Sequence, residues 1–175
     1  VSPSPILQKV SSGPPPSAGN PTPPVKANYE PDDEWLGRQV SMGKTKISPG
    51  SVDSYKPIQD LPNGMKIMQE PGYGGAMVAL KPDSSITMAS PYNQVGRVTH
   101  DNKGKIVNFA VSPDHQKQGL GTAMLQAGAD HGIFNPHVDP EDVSKAGAAA
   151  INKYRANDFA RKTKAVQDWQ DSQDQ

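Results

Sequence analysis

The sequence contains no cysteine. That excludes disulfides, thiolate nucleophiles and zinc sites that need Cys, while saying nothing about compartment. It is also poor in aromatic residues (6%) and in hydrophobic residues generally (34%). It has no excess charge of either sign, with 18 Lys+Arg against 18 Asp+Glu. A neutral chain has no overall field to draw in nucleic acid or an anionic membrane, so neither is expected as a partner. No apolar run approaches the roughly 18 residues that cross a bilayer, and no signal-peptide core is evident, so the expectation is a soluble protein. The sequence begins at Val1 and not at Met, as expected of a processed chain or of a piece of a longer one.

Proline and glycine are abundant, with 18 Pro and 16 Gly. Nine of the prolines fall within the first 31 residues, among serines, with Ile6 and Leu7 as the large aliphatic pair. Such a stretch is an extended, polyproline-leaning arm that cannot bury enough surface to offset its own ordering entropy. It is expected to be held by a partner chain or to act as a flexible tether. Glu30-Pro31-Asp32-Asp33-Glu34 then leads into Trp35 and Leu36. This is either a docking segment anchored by Trp35 and Leu36 or the acidic first turn of a short helix. The division is therefore an arm and acidic segment over 1–36, an irregular lead-in over 37–72 broken by four prolines, a core over 73–138 and a C-terminal helix over 139–175.

Within the core, strands are expected over 75–80, 85–89, 94–100 and 105–111, with Asp101-Asn102-Lys103-Gly104 as a hairpin turn. Residues 105–111 are apolar on both faces after Lys105, which points to a strand in the middle of a covered sheet. Leu120, Met124, Leu125 and Ala127 recur at helical spacing before Gly132. Asp139-Pro140-Glu141-Asp142 reads as a helix start, with Asp139 as cap and Pro140 in the first turn. From 145 to 164 there are six basic residues and one acid, Asp158, which a solvated helix face explains. Between strand and helix lies Val111-Ser112-Pro113-Asp114-His115-Gln116-Lys117-Gln118-Gly119-Leu120-Gly121-Thr122. Physically this is an anion cradle: the glycines let backbone N–H groups approach a phosphate, the helix N-terminus adds partial positive charge, and Gln116, Lys117 and Gln118 add side-chain donors. It lacks the Gly-Lys-Ser/Thr ending of a Walker loop and the third glycine of the Rossmann fingerprint. A glycine turn that merely packs helix on sheet is the structural alternative.

The run Val111-x-Pro113 followed by Gln116-x-x-Gly119-x-Gly121 resembles the signature of the GNAT superfamily of acyl-CoA-dependent N-acetyltransferases. That resemblance implies an α+β fold, here a truncated GNAT-like mixed or antiparallel sheet with two packed helices after the Pro-rich arm. It implies acetyl-CoA as cofactor if the protein is an enzyme, with Phe109, Ala110 and Val111 along the pantetheine arm and the pyrophosphate on residues 116–122, including Gln116, Lys117, Gln118, Gly119, Gly121 and Thr122. Many family members carry a tyrosine in an Asn-x-x-Ala-x-x-x-Tyr pattern that protonates the departing thiolate. Ala150-x-x-x-Tyr154 fits that pattern and makes Tyr154 the candidate general acid, although Gly147 stands at the Asn position. Two departures stand beside these matches. Only 43 residues follow Gly132, so the family's last two strands have no evident sequence, and the strand entering the motif offers Lys105 and Asn108 but no carboxylate base. Among the histidines at 100, 115, 131 and 137, His115 in the loop is the most plausible functional one.

The stretch from Gly119 to His137 is also similar to shortened GNAT-like segments in virion-gene proteins of bacteriophages, particularly those of actinobacteria. Two functions are therefore expected. One is an assembly-embedded structural protein, such as a capsid-associated minor virion protein, whose arm binds neighbouring subunits of a large or symmetric assembly through Ile6, Leu7, Trp35 and Leu36. The other is an active N-acetyltransferase acting on an amine. The location expected is the virion or the host cytoplasm. An open gap beside 106–111 favours the enzyme, and a gap plugged by side chains favours the assembly role.

Overall fold

The computed structural model describes residues 15–27, 46–47, 49–72, 74–82, 92–143 and 145–174. The expected strand over 85–89 and the expected partner-binding residues Ile6, Leu7, Trp35 and Leu36 lie outside them. Two compact units form, one of Val25–Tyr154 and one of Val1–Pro24 with Arg155–Gln175.

The larger unit is built on a six-stranded sheet: β1 (Lys46–Ile47), β2 (Lys56–Asp60), β3 (Lys66–Gln69), β4 (Met77–Pro82), β5 (Tyr92–His100) and β6 (Ile106–Val111). Every pairing is antiparallel. The order is β1-β5-β4-β3-β2, with β6 also paired to β5, so the fold class is α+β as expected. A single helical turn, α1 (Pro49–Val52), precedes β2. The two long helices are α2 (Leu120–Asp130) and α3 (Lys145–Gln173).

The strand buried on both faces is β4, not β6. Met77 and Ala79 join the main core, while the alternate residues Val78 and Leu80 join a second cluster with Val52 and Met68 on the other face. β6 corrects the expectation of a mid-sheet strand, because among the described strands it pairs with β5 alone. Its apolar content serves the packing of helices on its face and not neighbours on both edges: Ile106 and Phe109 share the main core with Leu120, Met124, Leu125, Ile151 and Tyr154. Helix α2 lies close to the sheet, since a Cβ at Gly96 of β5 would come within 2.6 Å of the Met124 sulfur.

The β5–β6 hairpin turns through Asp101 as expected. Its carboxylate accepts from the backbone N–H groups of Lys103 and Lys105, each at 2.9 Å. Helix α3 starts at Lys145 and not at the Asp139-Pro140 signal. Residues 139–143 instead run beside β6, where the N–H of Glu141 donates to the Ile106 carbonyl at 2.9 Å. Val25 belongs to the same unit and is buried in its core. The Asn152 side chain on α3 fixes it, as Oδ1 accepts from the Val25 N–H at 2.6 Å and Nδ2 donates to the Val25 carbonyl at 3.0 Å.

In the smaller unit, Arg155 donates from Nη1 to the Pro23 carbonyl at 2.7 Å. Asp158 accepts from Arg161 and Lys162, both at 2.9 Å, and Lys164 pairs with Asp168 at 2.7 Å. These i, i+3 and i, i+4 pairs account for three of the six basic residues of the run as a solvated helix face, whereas Arg155 is buried. No helix among the described residues is long and apolar enough to cross a membrane.

Candidate acyl-CoA cleft

The larger unit holds a cleft of about 410 Å³ between the outer edge of β6, the loop after it and the first turns of α3. Its shape follows from backbone pairing. Beside β6, the chain after α2 is fastened at two points, Asn135 N–H to the Gly104 carbonyl at 2.8 Å and Glu141 N–H to the Ile106 carbonyl. Beyond Ile106 no described strand pairs with the outer edge of β6. The gap therefore closes at Ile106 and opens toward Val111, with Phe109, Ala110 and Val111 along one wall.

The end of the cleft nearest α2 is a backbone cradle. Gly119 caps the helix with φ 82°, in the left-handed region that favours glycine, and no side chain caps the end. The first helical hydrogen bond is Ala123 N–H to the Gly119 carbonyl at 2.9 Å, which leaves the N–H groups of Leu120, Gly121 and Thr122 without intrahelical acceptors. Lys117 is held at φ 61°, a backbone cost for a residue with a Cβ. A Cβ at Gly119 would meet nothing within 4 Å, so the cradle is open at this point. A Cβ at Gly121 would lie 3.1 Å from Phe109 Cζ and 3.5 Å from Ala150 Cβ, so Gly121 sets the close approach of α2 to β6 and α3. An apolar slot ending in N–H groups that have no intrahelical acceptors fits an acyl-pantetheine arm with its pyrophosphate.

Of the residues expected to hold the cofactor, Phe109, Ala110, Val111, Gln116, Lys117, Gly119, Gly121 and Thr122 all line this cleft. Gln118 does not, and its Nε2 donates to the Asp114 carbonyl at 3.1 Å. Gln116 also braces the loop, donating from Nε2 to the Val111 carbonyl at 3.0 Å. Tyr154 is not brought to the cleft surface. It is 4% exposed, on the core side of α3 with Ile151, and its ring stands edge-on to His137 with centroids 5.7 Å apart. His115 is likewise not in the lining. Burial pushes its pKa down, the nearby Lys81 charge adds to that and Asp114 opposes it, while Nδ1 is buried without a hydrogen-bond partner.

The second wall was not anticipated. Ala146, Gly147, Ala149, Ala150 and Lys153 of α3 complete the cleft. The visible signal was the run of Gly and Ala over 146–150, whose small side chains leave room between helix and strand. The side chains lining the cleft include no carboxylate and no imidazole among the described residues, and the charged ones are Lys117 and Lys153.

Residues 74–159 match the model of the acetyltransferase (GNAT) family. The chain carries a GNAT domain. Its matched span runs from the segment entering β4 to the middle of α3 and contains the whole cleft. No curated protein and no solved structure matches the chain.

Proposed function

We propose that the cleft of the GNAT domain binds acyl-CoA and that the protein is an acyl-CoA-dependent acyltransferase acting on an amine. The observation that carries this reading is the open gap beside β6, bounded by the strand edge and by the N–H cradle of residues 119–122. Bound acyl-CoA supplies an acyl group activated as a thioester. The chain's own residues contribute binding and orientation. The free edge of β6 offers backbone groups to an amide-bearing arm, Phe109 and the alanines of α3 exclude water from it, and the cradle with Lys117 receives the phosphates.

An amine must lose a proton to attack, and the acyl C–S bond breaks as the new C–N bond forms. With no carboxylate or imidazole among the described lining residues, that proton passes to water at the open mouth. Tyr154, the general acid implied by the family pattern, can return a proton to sulfur only after its ring turns from His137 toward the cleft.

Titration of the isotopically labelled chain with acetyl-CoA tests this reading. Amide shifts are expected at residues 109–111 and 116–122. Shifts confined to other regions, or none at millimolar ligand, contradict it.

The second reading, an assembly component lashed to its neighbours by residues 1–36, draws on the proline-rich composition of that arm. Removing residues 1–22, and so sparing Val25, separates the two. Loss of higher-order assembly with retained acetyl-CoA binding supports an arm that assembles, and an unchanged particle mass counts against it.

A further inference from the structure

We propose that Lys153 is a phosphate contact on the α3 wall and that it makes the cleft select coenzyme A, through its 3′-phosphate, over ligands that carry the pantetheine arm with fewer phosphates. This rests on the acyl-CoA reading of the cleft and adds a specificity-determining residue to it.

Three observations place Lys153 in that role. It lines the cleft on a helix face otherwise made of Ala and Gly, so it is the charged side chain of that wall among the described residues. It also stands near the cradle: Gly121, in the first turn of α2, packs against Ala150, where a Cβ on the glycine would lie 3.5 Å from the alanine Cβ. Lys153 is three residues further along the same face, about 4.5 Å along the helix axis, well within the reach of a lysine side chain. Finally, its charge is uncompensated. Arg161, Lys162 and Lys164 of the same helix pair with Asp158 or Asp168, whereas Lys153 has no such partner among the described residues.

The cleft thus offers anions two positions, the N–H cradle with Lys117 and the Lys153 ammonium on α3. Coenzyme A carries a diphosphate and, on its ribose, a separate 3′-phosphate, which matches two positions. An exposed lysine on a flexible stem suits a phosphate at a solvent-facing mouth, where a point charge suffices.

The test is calorimetric titration of the full chain with coenzyme A, 3′-dephospho-coenzyme A and 4′-phosphopantetheine, for the wild type, Lys153→Gln and Lys153→Arg. The wild type is expected to bind coenzyme A about tenfold more tightly than the dephospho form, a contrast that shrinks with added salt. Lys153→Gln should reduce coenzyme A to the dephospho level and leave dephospho-coenzyme A within twofold, while Lys153→Arg should restore most of the contrast. Equal wild-type affinity for the two forms overturns the role of Lys153 alone. So does a Lys153→Gln loss that is the same for both ligands, or no loss at all. Failure of all three ligands to bind the wild type overturns the acyl-CoA reading of the cleft and this assignment with it.

Discussion

The carboxamide of Asn152 engages both backbone polar groups of Val25, accepting at 2.6 Å and donating at 3.0 Å across 127 residues of sequence. This is the pairing that a neighbouring β-strand would offer, supplied by one side chain on a helix. It seats Val25 in the main core and attaches the end of the proline-rich segment to the helix that walls the cleft.

Asn152→Ala is expected to lower stability by about 1–3 kcal/mol, because it leaves the Val25 N–H and carbonyl unpaired in a partly buried place. Alanine's better helix propensity offsets at most about 0.7 kcal/mol of that. Urea denaturation of the two proteins measures the difference. Equal midpoints would mean that the clasp does not hold in solution.

Gly128 on α2 lies beneath the ring of Phe134, so that a Cβ there would come within 2.1 Å of Phe134 Cζ. The ring is 3% exposed and has no room to retreat. Gly128→Ala is therefore expected to destabilise by about 1–3 kcal/mol through overpacking, despite alanine's helix propensity. Adding Phe134→Leu should recover part of the loss. A double-mutant cycle that shows strict additivity would rule out this contact as the cause.

Asp101 organises the β5–β6 hairpin. The Lys105 N–H holds its carboxyl below the ordinary value of 3.8; desolvation opposes this, and the Lys103 N–H and the two lysine charges add to the lowering. A carboxyl whose folded pKa is depressed contributes stability that is present above the unfolded value and lost as pH falls through the folded one. The gap in thermal midpoint between the wild type and Asp101→Ala should accordingly be open at neutral pH and close as pH falls below 3.8. A gap that stays constant down to pH 2 would contradict this assignment.

Much of the cleft's first wall was legible in the sequence because its signals are local. The hairpin turn at 101–104, the end of β6 at Val111 and the glycines at 119 and 121 each act on their immediate neighbours, and they lie at the β5–β6 turn, the strand end and the start of α2. The other wall was not legible in the same way. That β6 would be left with a free edge depends on where residues 133–143 go, and a hydrogen bond between Glu141 and Ile106 decides it. Lys153 looked like one more base in a charged run until its helix face was known, and nothing near Val25 in sequence points to Asn152. Sheet pairing and helix docking are non-local, so single-segment patterns do not encode them.

The central claim is that the cleft beside β6 takes acyl-CoA, and calorimetric titration with acetyl-CoA tests it most directly. Ala149 is exposed and lines the α3 wall, so Ala149→Trp fills the cleft without disturbing the core. Saturable one-to-one binding by the wild type, lost in an Ala149→Trp protein with an unchanged thermal midpoint, is the expected result. No binding at millimolar acetyl-CoA, or binding that Ala149→Trp leaves intact, would contradict the account.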